Sequence, residues 1–322
     1  MSDSKKKTST AMLLGLAGVW FTTHFGGGFA SGAQMYSYYV RYGIWSLIMP
    51  TLAMAYNALF FIYAFRYARK HELYDYGSYN KSFYGKYSPI FSTLFEVLYI
   101  TVMCVAPAVA FATGGSTLEN LTGLPYMICT LIIGVFIFIV AIYGTFQLAN
   151  VAVFVQHAKS LENEDGAYPS MIIGAVANAL FMTLVCLGLI GVYSLPGYAQ
   201  AKVPTLFVVE NGVGAGFMKP LISILIILGA VSTAVNMVAA MTKRVANVIE
   251  TPEEKKREAE TGKPVMKTII VALVVALADF AIAQFGLLPL IQKGYSFIAY
   301  LAIPVILIPY IIHMVVTRWD TK

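Results

Sequence analysis

Three consecutive glycines, Gly26, Gly27 and Gly28, interrupt an apolar run over residues 11–40. Each weakens a helix by about 1 kcal/mol relative to alanine. In hydrocarbon, irregular backbone survives only where it lines a cavity or is buried in protein. A break here would free carbonyl oxygens for a cation and N–H groups for the anionic part of a solute. Close packing of helices through small residues accounts for the same glycines without a break, and the spacing of Gly28 and Gly32 suits it.

Two further polar groupings fall inside apolar runs. Ser232 and Thr233 follow Gly229-Ala230-Val231 in the run 217–242. Adjacent hydroxyls suit a small hard cation, which prefers oxygen; they also bond back to carbonyls of their own helix. Gln147 and Asn150 lie three residues apart in the short run 145–158 and so share a helix face. They suit a polar solute, an unwound backbone or a neighbouring helix.

Ionisable residues within the runs are few: His24, Glu96 and Asp279, with His157 and His313 near the expected cytoplasmic edge. Such residues are functional hypotheses by default. His24 adjoins the glycines and changes charge near neutral pH, which suits a proton carrier; it reads equally as a satisfied structural histidine. Glu96, two turns in from Pro89, is placed to pair with an arginine or lysine at the cytoplasmic end. Asp279 lies about two turns from the expected outer end, where water reaches. These three are the proton-coupling candidates.

The elements that hold these residues follow from composition. Hydrophobic residues are 58% of the 322 and charged residues 12%, against about 25% charged in soluble domains. The surface therefore faces lipid. The net charge of +6 sits in short loops and not along one face, which argues against nucleic acid as a partner. Lys5-Lys6-Lys7 precede a run too long for a signal peptide, so that run is read as the first membrane helix. Cys104, Cys129 and Cys186 lie in apolar runs without metal-ligand spacing. No dinucleotide, phosphate-loop or zinc-protease motif occurs. Glu96, Asp279 and His24 are too far apart along the chain to form one acid–base site, so no enzyme is expected.

Apolar runs cover 11–40, 44–66, 89–113, 125–143, 145–158, 168–193, 217–242, 267–285 and 294–316. With the N-terminus cytoplasmic, only Arg41, Lys202, Lys219 and Lys293 of the 22 basic residues fall outside, a strong positive-inside bias. Parity then demands two crossings or none between the run ending at 143 and Lys159. Fourteen residues reach only about 21 Å, short of a ~30 Å core. The run 145–158 is therefore re-entrant, or one helix is missing.

The stretch Phe25-Gly26-Gly27-Gly28-Phe29-Ala30-Ser31-Gly32-Ala33-Gln34 resembles the first helix of the YkvI-type bacterial membrane proteins, where a Gly-x-Gly-Phe-Ala-Ser-Gly-Gln stretch is typical. Val153-Phe154-Val155-Gln156-His157-Ala158-Lys159 and the Ser232-Thr233 pair are similar as well. That family resembles distant members of the amino acid–polyamine–organocation superfamily, whose LeuT-like fold has ten core helices in two inverted halves of five, the first and sixth broken at the substrate site.

The resemblance implies a solute site beside Gly26–Gly28, with Ala30 and Ser31 contributing and Tyr99 of the third helix facing it. Gln147 and Asn150 would belong to the sixth helix. A sodium ion would be held by the carbonyls of Thr22, Phe25 and Gly229 and the hydroxyls of Ser232 and Thr233. The match leaves no fifth helix, hence about nine helices. The expectation is an all-α, polytopic, inverted-repeat membrane protein forming one domain over 1–322, in parts 11–143 and 145–316. Residues 243–267 form a charged cytoplasmic loop. The implied function is ion-coupled (sodium or proton) secondary transport of a small, amino-acid-like solute by alternating access in the bacterial inner membrane. Its partners are that solute and the bilayer, and no other cofactor is implied. The alternative, which the missing helix favours, is a non-transporting receptor or scaffold that keeps the fold.

Overall fold

The computed structural model describes residues 8–144, 157–261 and 264–320. Among them the chain is helical, with no strand.

The first apolar run is three pieces: α1 (Thr10–His24), α2 (Gly27–Ala30) and α3 (Ala33–Tyr38). Ser9 starts α1 by accepting the Met12 N–H at 3.3 Å, as an N-cap does. A 3-10 stretch, Val40–Leu47, leads into α4 (Met49–Lys70) with a bend of 72°. The run expected from 44 therefore becomes regular helix only at Met49. Gly43 has φ 63° and ψ −132°, which no helix continues through, and Pro50 suits the first turn of α4.

Next come α5 (Tyr76–Tyr84), α6 (Ser88–Thr122) and α7 (Tyr126–Gly144). The helix expected over 89–113 runs on to Thr122. Its last turns stay helical because Gly114 and Gly115 let α7 close against them: a Cβ on Gly114 would lie 2.9 Å from Ile133 Cγ2. Gly123, at φ 75°, then ends α6 by donating to the Glu119 carbonyl at 2.8 Å.

The second part holds α8 (Ala167–Gly191), α9 (Pro204–Glu210), α10 (Ala215–Ile249), α11 (Pro252–Thr261), α12 (Met266–Ala283) and α13 (Leu287–Val316). Within α13, Leu290–Tyr295 and Ile303–Leu307 are π-helical. The stretch 243–267, expected as a loop, is mostly helix: α10 extends to Ile249 and α11 follows. A reciprocal cap explains the restart, because Thr251 N–H donates to Glu254 Oε2 (2.9 Å) and Glu254 N–H to Thr251 Oγ1 (3.3 Å). The Thr251 backbone and Lys267 hold the Glu254 carboxyl below its usual range. Residues 145–156, with Gln147, Asn150 and the questioned short helix, lie outside the described residues.

Buried side chains form two main cores. One joins α1, α4, α5 and α8 through Trp20, Tyr63, Phe65 and Met171. The other joins α6, α7, α10 and α12 through Phe111, Ile137, Val238 and Ala276. The outward faces are apolar too. Leu221, Ile224, Leu225 and Leu228 on α10 are each 41–55% exposed, and Ile270, Leu273, Val274 and Leu277 repeat the pattern on α12. Such stripes at helical spacing fit a lipid solvent and not water. Five helices are long and apolar enough to cross a membrane, six if the bent pair at 40–70 counts as one span. The chain is an integral membrane protein by that measure.

Close packing of α1 on α8 depends on Gly174, where a Cβ would sit 2.6 Å from the Trp20 ring. Gly174→Leu is expected to lower stability by about 1–3 kcal/mol through overpacking, read as a lower thermal midpoint in detergent. Gly15→Ala, with open space around its Cβ, should instead be neutral or gain up to about 1 kcal/mol.

Candidate functional site

The break is local and complete. Phe25 leaves the helix at ψ 48° and Gly26 is extended at ψ −178°. Gly26 N–H, which a continuous helix would give to Thr22, turns back to the His24 carbonyl at 2.9 Å. Phe29 N–H, which would go to Phe25, bonds the Gly26 carbonyl at 3.0 Å. The Thr22 and Phe25 carbonyls thus lose the N–H groups that helical continuity would bring them.

The two readings of the glycines apply to different residues. Gly26 makes the break. Gly27 makes a close approach: its Cβ would lie 3.1 Å from Thr113 Oγ1 and 3.3 Å from Ala110 Cα on α6. Gly32, at φ 75°, sits beneath α9, where a Cβ would come within 2.5 Å of Thr205 Oγ1.

A cavity of about 600 Å³ opens beside the break. His24 and Gly26–Gly28 form one wall, with Gln34 and Tyr38 of α3. Val102 and Ala106 of α6 and Thr233 and Met237 of α10 face them. Residues Tyr295–Tyr300 of α13, Phe297 excepted, complete the lining. Tyr38 OH donates to the Ile291 carbonyl in the π-helical stretch of α13 at 2.7 Å and lies 3.1 Å from Ser296 Oγ. Irregular turns of this kind recur at functional sites. The volume falls in the usual range for small-molecule pockets.

The expected site residues divide. Thr233 lines the cavity; its hydroxyl donates to Gly229 O at 3.0 Å and would touch a Cβ on Gly26 at 3.4 Å. Ser232 is exposed one position round α10, so the two hydroxyls do not face the break together. Ala30 and Ser31 are absent from the lining. Ser31 is buried in a turn, donating to the Gly28 carbonyl at 3.1 Å, and its own carbonyl accepts the Thr205 N–H of α9 at 3.0 Å. Ala30 packs under α9 with Val203 and Leu206. Both residues are covered by the segment around α9, not open to the cavity.

Tyr99 also differs from expectation. Its ring stacks on Tyr76 at 5.6 Å, and the Arg244 guanidinium lies 5.3 Å from each ring. Arg244 also pairs with Glu96, the cytoplasmic-end partner expected for that acid. A planar cation held by one carboxylate and two aromatic faces is a structural clamp between α6 and α10. The α6 residues that do face the cavity, Val102 and Ala106, lie one and two turns further on.

Asp279 is 2% exposed, and its Oδ2 has no hydrogen-bond partner. The water contact expected from its distance to the helix end is therefore absent, because α12 buries that face. His24 has a partner not expected from the sequence: Nδ1 lies 2.8 Å from Asn178 Oδ1 on α8. Asn178 is a lone amide in a long apolar helix, a signal in its own right. Among the described residues no group of three or more His, Cys, Asp and Glu side chains could hold a metal.

No family model, curated protein or solved structure matches the chain. The likeness of its first helix to the YkvI-type proteins stays a resemblance.

The clamp is open to a direct test. Glu96 and Arg244 side chains are about one third exposed, at 34% and 29%, so their coupling should fall near 1 kcal/mol, between exposed and buried pairs. A double-mutant cycle of Glu96→Gln and Arg244→Met, read by thermal unfolding, should show that coupling. Additive effects would remove the clamp.

Proposed function

We propose that the chain is a secondary transporter that moves a small, amino-acid-like solute through the cavity beside Gly26–Gly28, coupled to an ion. The observation that carries this reading is the broken helix lining a cavity that α6, α10 and α13 close. A break exposes backbone dipoles to a solute at mid-membrane, which is how transporters of this kind build their sites. Alternating access would then move the α1–α4–α8 group against the α6–α7–α10–α12 group.

A sodium ion fits in part. The freed carbonyls of Thr22 and Phe25, the Gly229 carbonyl and the Thr233 hydroxyl are hard oxygen donors of the kind it prefers. The exposed Ser232 does not join them. When bound, sodium would supply positive charge next to the break. Alanine at both Ser232 and Thr233 should abolish any sodium stimulation of uptake, and Ser232→Ala alone should leave it unchanged.

The proposal places the protein in a bacterial inner membrane with its N-terminus cytoplasmic. Lys255→Cys on α11 should react with a membrane-impermeant maleimide only from the cytoplasmic side. Labelling from the outer side of intact cells overturns the orientation.

Transport itself is tested in proteoliposomes loaded against a radiolabelled mixture of proteinogenic amino acids, with and without a sodium or proton gradient. Gradient-driven uptake is the expected result. Saturable binding to the purified protein without uptake would replace transport with the receptor reading.

A further inference from the structure

We propose that His24 carries the coupling proton of this site, taking it up and releasing it at Nε2 while Asn178 holds Nδ1. This rests on the transporter reading above. His24 is the last residue of α1 and lines the cavity. Asn178 is 1% exposed, and its amide nitrogen donates to the Gly174 carbonyl at 2.8 Å. With that nitrogen committed, the amide oxygen faces the ring, so Nδ1 is the donor in the 2.8 Å contact. A neutral imidazole that donates from Nδ1 keeps an unprotonated Nε2. That nitrogen gains a proton without breaking the Asn178 bond, because both ring nitrogens donate in the imidazolium.

The surroundings suit a charge that comes and goes. α1 is 15 residues long and ends at His24, and the C-terminus of a helix favours a cation. Beside it, the Thr22 carbonyl lacks its helical N–H. Among the described residues no Lys, Arg, Asp or Glu lines the cavity. The titratable groups that face it besides His24 are the phenols Tyr38, Tyr295 and Tyr300. On α8 the titratable side chains are Tyr168 and Cys186, ten and eight residues from Asn178. On α6, Cys104 stands between Val102 and Ala106, and Glu96 is committed to Arg244. Asp279 is outside the lining, on α12. α2 offers only Phe29, whose ring is 5.5 Å away. Phenols and thiols ordinarily titrate well above neutrality, whereas imidazole is the side chain whose ordinary titration lies nearest to it.

Coupling follows from charge. A solute carboxylate entering this cavity finds no cationic side chain except a protonated His24. Each then stabilises the other, and binding linkage makes the effect reciprocal. Loss of the proton on the opposite side removes the carboxylate's partner and favours release.

Nitrogen-15 NMR of ring-labelled histidine reads the protonation directly. The chain has four histidines, and His24→Gln identifies the signal. The expected result is a neutral His24 in the Nδ1–H form that gains a proton at Nε2 as the pH falls, and a switch to the Nε2–H form in Asn178→Leu. Asn178→Asp, which keeps the acceptor, should retain the Nδ1–H form. In proteoliposomes an inward proton gradient should stimulate uptake of the radiolabelled amino-acid mixture. His24→Gln should lose that stimulation. A wild-type His24 that is Nε2–H, or that does not titrate, overturns the assignment, as does undiminished stimulation in His24→Gln. If wild-type protein takes up none of the mixture, the transporter reading fails, while the ring titration still decides whether His24 exchanges a proton.

Discussion

Every backbone polar group inside a bilayer must find its partner within the protein. The structure turns on one departure from that rule. At Phe25 and Gly26 the first helix gives up its ladder, and two carbonyls lose their helical donors. The neighbourhood is arranged around that loss. Gly27 lets α2 press against α6, Thr233 lies against Gly26, and the Tyr38 hydroxyl ties α3 to the irregular start of α13. Those contacts set the broken helix against α6, α10 and α13, and the cavity lies among them beside the break.

Below the cavity, charge and aromatic contact tie helices of one core. Arg244, set against Glu96, Tyr76 and Tyr99, links α6 to α10. Above it, α9 folds over the α2–α3 turn, and Thr205 N–H reaches the Ser31 carbonyl. That contact needs Gly32 in a left-handed conformation with no side chain. The site therefore has a clamp inside one core and a cap that joins α9 to the broken helix. A single backbone hydrogen bond is worth only about 0.5–1.5 kcal/mol net. A contact of that size suits a part that must let go.

Much of this is legible in the sequence, for physical reasons. Apolar runs longer than a membrane is thick announce helices, and three glycines in such a run announce trouble for one of them. Glu96, an acid in an apolar run, needs a cation and has one in Arg244. What the sequence does not carry is which way side chains point. Ser232 and Thr233 are neighbours in sequence but about 100° apart around a helix, so one faces the break and the other does not. The family resemblance puts Tyr99 at the cavity, yet its ring packs against Arg244 and Tyr76 instead. Helix ends depart from the apolar runs where glycine or proline overrides apolar content: α4 starts late at Met49, and α6 runs on through Gly114 and Gly115 because α7 needs them small.

His24 and Asp279 show why burial alone does not identify a working ionisable group. Both sit in apolar helices. Asp279 is packed away between α12 and α6, its Oδ2 without a partner and the carboxyl outside the cavity lining. A proton there has no route that the lining provides. His24 has one nitrogen fixed by a buried amide and stands at the cavity wall, at the end of a helix whose Thr22 carbonyl has lost its helical donor. The first arrangement stores a cost. The second leaves one nitrogen committed and one available, and that asymmetry is what a group needs if it is to change charge without losing its place.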